Sequence, residues 1–286
     1  YTLINNNLND VHHAQIKTDH TMQPLQFIDS HCHLDLPIFD SDRESVLNRC
    51  RELGVSHIVV PGVTALQWDN LLNICREHDS LYPAIGIHPL FIESDTVTED
   101  LKVMNFLLNN SLTHNYSIVA IGEVGLDGTE KSSHKISLQQ KIFIAQLKIA
   151  EEHNLPLILH IRKAHQTAIE ILKHNSNHGG VVHAFSGSLE QALEYIKLGF
   201  KIGVGGTISR VNAKKLRRTI CNIPLESITL ETDSPDLAPL WAKDERNSPH
   251  HIPKIAEVVA EIRGDNLERV ATQTTENAKT IFNIKL

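Results

Sequence analysis

Four cysteines, Cys32, Cys50, Cys75 and Cys221, are scattered along 286 residues without a C-x-x-C pair. A disulfide framework and a cysteine-rich zinc module are therefore not expected. No stretch has the basic, apolar and small-residue order of a secretory signal, so a reduced, cytoplasmic setting is the expectation. No window reaches the about 18 uninterrupted apolar residues of a membrane helix. A glycine-rich phosphate loop of Walker or dinucleotide type is missing, which removes support for a nucleotide cofactor. Excess positive charge is lacking too: 27 Lys and Arg stand against 34 Asp and Glu, for a net charge of −7 and a pI near 6.2. Such a chain repels polyanions as a whole. A phosphate substrate stays admissible, because bound divalent cations supply positive charge locally. Aromatic residues make up 5% of the chain, and they form no stacking run of the kind that grips a long single strand.

What is present is a globular composition, with 41% hydrophobic and 21% charged residues. The length admits one barrel-like α/β domain as readily as two ordinary domains. Residues 1–23, rich in Asn, Asp, Thr and His, read as a disordered leader or an expression remnant, with Met22 available as a natural start. Residues 24–286 then read as one domain. From Leu25 onward, β-type runs are expected at 25–29, 57–61, 83–87, 118–123, 157–160, 180–183, 200–204 and 228–231. Helical stretches follow at 41–53, 64–78, 98–112, 133–153, 164–174, 189–198, 212–220 and 249–263. In the fourth, Ile136, Phe143, Leu147 and Ala150 build one apolar stripe. Ser248-Pro249 reads as a cap followed by proline in the first turn of the last of these helices. A further helix over 266–282 is expected to pack on the outside through Val270, Ala278 and Ile281.

Apolar strands separated by helices call for a parallel sheet with right-handed crossovers. Eight such units favour closure into a single-domain (β/α)8 TIM-type barrel with an additional C-terminal helix. Functional groups in these barrels lie at the carboxyl ends of the strands, and here those ends are unusually uniform. The first carries His31 and His33, which share a face if 25–29 is a strand, since two residues advance about 6.6–6.8 Å. The third carries His88, the fourth Glu123, the fifth His160, the sixth His183 and the eighth Asp233. Taken singly, each reads as a core histidine or a strand-end cap; their coincidence at so many ends overturns that reading. Imidazoles and carboxylates are divalent-metal ligands. Five or six of them exceed what one four-coordinate ion needs, so a two-metal site with Glu123 as the bridging carboxylate is expected. Cys32, pointing away between two histidines, reads as a small buried hydrophobe.

The stretches Ile28-Asp29-Ser30-His31-Cys32-His33-Leu34-Asp35, Gly86-Ile87-His88-Pro89, Ile121-Gly122-Glu123-Val124-Gly125-Leu126-Asp127, Leu159-His160, His183-Ala184-Phe185-Ser186-Gly187-Ser188 and Glu231-Thr232-Asp233-Ser234-Pro235 together resemble the TatD family of metal-dependent deoxyribonucleases. Residues 199–207 resemble the family's seventh strand. The resemblance implies that His31, His33, Glu123 and Asp233 bind one divalent ion while Glu123, His160 and His183 bind a second, the metal being Mg, Mn or Zn. It implies DNA as substrate and phosphodiester hydrolysis as reaction. Gly128 and Asp236 depart from the pattern, each standing where relatives usually carry an aromatic residue.

From this follow the expected roles. Two metals lower the pKa of water and stabilise the departing oxygen, Asp233 orients or deprotonates the attacking water, and His88 holds the scissile phosphate. The acidic net charge favours nibbling at single-stranded or frayed ends by a monomer over gripping a long duplex. Arg210, Lys214 and Arg217 are spaced to share one helix face with Lys215 and Arg218 nearby, a solvated face or a track along phosphates. The rival readings are an amidohydrolase-type enzyme cleaving C–N or ester bonds, which would want a carbamylated lysine where Glu123 stands, and a catalytically silent metal-binding protein.

Overall fold

Strand and helix alternate eight times in the computed structural model, which describes residues 25–285 except 112, 115, 130, 131, 133 and 134. The leader expected over 1–23 lies outside the described residues. The strands are β1 (Phe27–Asp29), β2 (Val55–Pro61), β3 (Leu81–Ile85), β4 (Ala120–Asp127), β5 (Leu157–Arg162), β6 (Gly180–Val182), β7 (Phe200–Val204) and β8 (Ile228–Leu230). Between them run α1 (Arg43–Glu52), α2 (Ala65–Glu77), α3 (Val97–Asn109), α4 (Ile136–Glu152), α5 (His165–Lys173), α6 (Leu189–Lys197) and α7 (Lys214–Asn222); α8 (Ile252–Arg263) and α9 (Leu267–Phe282) follow β8. The eight strands pair in parallel in sequence order. The ends of the sheet meet where the Ser30 N–H and hydroxyl both donate to the Leu230 carbonyl at 2.9 Å. This is the expected (β/α)8 barrel.

Two apolar cores result from strand alternation. The larger lies between sheet and helices and includes the α4 residues Phe143, Leu147 and Ala150, all fully buried, with Ile136 half-buried at its edge. The smaller lies inside the barrel and joins Ile28, Val59, Ala84, Ala120, Ile158 and Val181 to Ala278, Phe282 and Ile284. Helix α9 is thus not simply packed on the outside as expected. Val270 and Ala271 belong to the outer core, while its last turns close the amino-terminal end of the barrel. Polar side chains fix that placement: Thr275 Oγ1 donates to the Gln26 carbonyl, and Asn277 Nδ2 donates to the Leu225 and Ile228 carbonyls. These bonds satisfy carbonyls that the ends of short strands leave unpaired.

Other boundaries differ from expectation for local reasons. Residues Pro249–His251 form a 3-10 turn, and α8 begins only at Ile252. Pro253, not Pro249, occupies its first turn, because a proline N–H is missing and its ring excludes a helical carbonyl four residues earlier. Helix α7 begins at Lys214, which leaves Arg210 off the helix. Arg210 donates to the Ala238 carbonyl, Lys215 to Ser186 and Arg217 Nε to Ile208. Arg210 therefore does not share the helix face expected of it with Lys214 and Arg217, and Arg210, Lys215 and Arg217 tie loops together.

Candidate metal centre

At the carboxyl ends of the strands the inward residues change from apolar to ligating. Two positions beyond Ile158 and Val181 in the same alternating series stand His160 and His183. Strands β4 and β5 run further than expected, so Glu123 and His160 lie within them and not at their ends. Glu123 reaches the interior through an irregularity of β4. Ile121 pairs with Leu157 but Val124 pairs with Leu159, so β4 carries one residue more than its neighbour. Ile121, Val124 and Leu126 all face the outer core, and the extra residue turns Glu123 inward, where strict alternation would aim it at the helices. Gly122 permits this approach: a Cβ there would lie 2.5 Å from Ile158 Cβ.

Strand β1 ends at Asp29, so His31 and His33 do not converge by strand alternation; they lie in the loop that follows. The loop is held extended between neighbours. Cys32 N–H donates to the Val59 carbonyl, His33 N–H to Ser234, and Asp233 N–H to His31. Buried Asp29 anchors both sides, accepting from the backbone N–H of His31 and from the N–H and hydroxyl of Thr232. Cys32 points away into the core, fully buried, as expected.

All the expected ligands come together. Glu123 Oε2 lies 3.4 Å from both His31 Nε2 and His33 Nε2, and Asp233 Oδ1 lies 3.4 and 3.6 Å from the same two nitrogens. Glu123 Oε1 lies 2.8 Å from His160 Nδ1, 2.9 Å from His183 Nε2 and 3.3 Å from His88 Nε2. The two oxygens of one carboxylate therefore face two separate groups of donors. Ligands at about 2.0–2.2 Å from one ion are separated by roughly 3.0–3.5 Å in tetrahedral or octahedral geometry, and most of the separations here fall in or near that range. The donor set fits divalent cations.

Its electrostatics point the same way. Burial opposes protonation of His33, yet the hydrogen bond and charge of Glu123, helped by Asp233, raise it to about 9. His160 and His183 are raised in the same manner against burial, by Asp127 and Glu123 for the first and chiefly by Glu123 for the second. Glu123, despite its burial, is held well below the usual carboxylate range by His183, His88 and His31. Fully buried His31 goes the other way, lowered well below its ordinary value by burial and by His183, stacked on it at 3.9 Å. A pair of carboxylates that gathers protons onto several imidazoles is one that cations would satisfy in their place.

His88 differs from the other histidines. Its Nδ1 accepts the Leu90 N–H at 3.1 Å and caps the turn Pro89–Phe91. The ring proton of the neutral form therefore sits on Nε2, which makes that atom a donor into the site and not a lone-pair ligand. Burial lowers its pKa and keeps it neutral.

Three supporting carboxyl and carbonyl groups escaped sequence reasoning as site residues. Asp127 Oδ2 lies 3.3 Å from His160 Nε2, and its other oxygen accepts from Thr129 N, Thr129 Oγ1 and Ser132 Oγ. Glu231, fully buried, accepts the Ala184 N–H at 2.6 Å and lies 3.7 Å from His183 Nδ1. The Pro61 carbonyl is 3.1 Å from His33 Nδ1, which directs Nε2 to the centre. Both acids stood within recognised motif stretches, but their pairing with a specific imidazole is set across strands. Gly128 lies where its N–H donates to the Arg162 carbonyl, and a Cβ would come 2.8 Å from the Lys163 carbonyl; no aromatic side chain fits that backbone.

The family model for TatD related DNase matches residues 28–283. An uncharacterized metal-dependent hydrolase of Escherichia coli, YjjV, is 37% identical over 265 residues, covering 91% of this chain and 98% of that protein. Its crystal structure superposes with a TM-score of 0.84 over 92% of this chain and 100% of the other. The human deoxyribonuclease TATDN3 is 30% identical over 261 residues, covering 89% of this chain and 94% of its own. An uncharacterized amidohydrolase from Saccharomyces cerevisiae shares the fold, with a TM-score of 0.77 at 22% identity over 91% of this chain and 100% of that one.

Proposed function

This chain belongs to the TatD family of metal-dependent hydrolases, and from that premise we propose that it is a deoxyribonuclease that hydrolyses phosphodiester bonds at single-stranded or frayed DNA ends. The observation that carries the reading is the division of Glu123, one oxygen toward His31, His33 and Asp233 and the other toward His160 and His183. In this reading Glu123, with its two donor groups, would hold two divalent ions, which when bound would supply Lewis acidity toward a phosphate and acidify water. The ions are Mg, Mn or Zn.

The chain's own groups then do the following. Asp233 takes the proton of the attacking water: Oδ1 faces His31 and His33, and the side chain keeps 13% of its surface accessible. Its backbone is in the left-handed region at φ 56°, held there by the Asp233 N–H bond to the His31 carbonyl. His88 Nε2–H donates to a non-bridging oxygen of the scissile phosphate, orienting phosphorus toward the water. Asp127 and Glu231 fix the rings of His160 and His183. An amidohydrolase reading is weakened because a glutamate already supplies the bridging carboxylate that a carbamylated lysine would provide. Free, buried Cys32, Cys50 and Cys75 agree with a reducing cytoplasm, where the enzyme acts as a monomer.

The test is digestion of end-labelled single- and double-stranded DNA and RNA with Mg²⁺, Mn²⁺ or Zn²⁺ and an EDTA control. Metal-dependent shortening of DNA from an end is expected. Blank reactions with every metal, or turnover confined to amide and ester substrates, would falsify the reading.

A further inference from the structure

Several large exposed apolar side chains lie on the face that carries the metal centre. Ile38, Phe91, Val211 and Leu240, exposed by 54, 51, 78 and 48%, stand on the segments that follow β1, β3, β7 and β8. Exposure of this kind around a site marks a surface that something covers. Phe91 is the one tied directly to the chemistry. It ends the short turn that His88 caps, its N–H donates to the His88 carbonyl at 2.9 Å, and its ring centroid lies 5.5 Å from that of His88. His88 in turn lies 3.3 Å from Glu123. One imidazole thus separates an exposed aromatic face from the bridging carboxylate. At the end of β5, two strands along the sheet from β3, Arg162 and Lys163 follow His160, both exposed and neither in an ion pair among the described residues. An exposed ring and cations outside any ion pair at the same end of the barrel are together complementary to an anion that carries a flat apolar body, which describes a nucleotide.

We infer that Phe91 is a stacking platform for the nucleobase adjoining the scissile phosphate, with Arg162 and Lys163 along the neighbouring backbone. This rests on the nuclease reading and adds to it the need for an unpaired base. A paired base presents no free face to the ring, so frayed or single-stranded ends are selected. Because His88 and Phe91 belong to one turn, base and phosphate are positioned together.

The experiment uses the full chain and single-stranded oligonucleotides in which one base at a time, on either side of the cleaved bond, is replaced by an abasic residue. Removal of the stacked base is expected to raise KM by roughly 10- to 100-fold for the unsubstituted protein, and Phe91→Ala to raise it similarly on intact DNA. Phe91→Ala should show no further loss at that abasic position, and Phe91→Tyr should restore sensitivity. A second readout needs no turnover: with the metal present and a non-cleavable phosphonate linkage at the scissile position, 2-aminopurine at that position is expected to be quenched by the unsubstituted protein and not by Phe91→Leu, which keeps apolar volume without a ring. The inference is overturned if Phe91→Ala or Phe91→Leu keeps the unsubstituted abasic penalty, or if quenching persists without the ring. If intact DNA is not cleaved by the unsubstituted protein, the nuclease reading itself has failed, a result distinct from cleavage that ignores Phe91.

Discussion

At the amino-terminal end of the barrel, Ile28, Val59, Ala84, Ala120, Ile158 and Val181 close against Ala278, Phe282 and Ile284 of the C-terminal segment. At the opposite end the same strands and their following loops present His31, His33, Glu123, His160, His183 and Asp233. The first end is dry and apolar, and its burial favours folding at about 25 cal/mol per Å². The second end concentrates buried polar and titratable groups, and it includes Ala184 and Asp233 at positive φ, a conformation that costs of order 1–3 kcal/mol per residue. One end of the sheet stabilises the fold that holds the other end in an unfavourable arrangement. The lesson is that stability and function are separated along the strand axis by as little as two residues, from Ile158 to His160.

The strongest test of that separation is Glu123→Gln. It removes the charge both donor groups share, and DNA cleavage is expected to fall by roughly 10³-fold or more, about 4 kcal/mol of transition-state stabilisation. Metal content measured by mass spectrometry should drop. Unchanged metal content would contradict the bridging role.

Phe282→Ala examines the other end. Its fully packed ring closes the barrel bottom, and the loss is expected to be about 3–5 kcal/mol of stability. Chemical denaturation should reveal this, with turnover per folded molecule unaltered; a change in kcat at equal folded fraction would mean that the two ends are coupled.

Smaller effects come from the groups behind the ligands. Asp127→Asn and Glu231→Gln leave every ligand in place but loosen His160 and His183, so metal affinity by calorimetry should weaken by about 10- to 100-fold. Equal affinity would make these acids purely structural.

A pH limb of stability arises away from the metal centre. His165, only 7% exposed, faces the Tyr195 hydroxyl at 3.2 Å, and burial, with Lys215 adding to it, lowers its pKa to about 4. Between about 4 and the ordinary 6.5 the unfolded chain binds a proton that the folded chain does not, so stability falls as pH drops through that window. The loss is about 3 kcal/mol at most. His165→Phe should flatten this part of a urea-midpoint-against-pH curve, and an unchanged slope would assign the acid limb elsewhere.

The candidate ligands were legible because ligand chemistry restricts which residue types serve: His31, His33, Glu123, His160, His183 and Asp233 were all expected at strand ends, and the structure brings them together. The eight βα units were equally legible, since apolar runs and helical stripes are local patterns. Asp127 and Glu231 were not, because a supporting carboxylate is defined by the imidazole it touches, 33 residues away for Asp127 and 48 for Glu231.

By itself the sequence determined the strand count and the candidate donor set. Tertiary structure decided three things. The one-residue irregularity of β4 turned Glu123 inward, and whether a strand keeps or loses register depends on its neighbour, not on its own pattern. The contacts of Asp29 and Ser30 with Thr232 and Leu230 closed the barrel across 200 residues of chain and so set His31 and His33 beside Asp233. The carbonyls at the amino ends of the barrel drew Thr275 and Asn277 beneath it, making α9 a cap. Each is a pairing between distant segments, and periodicity along one segment carries no information about its partner.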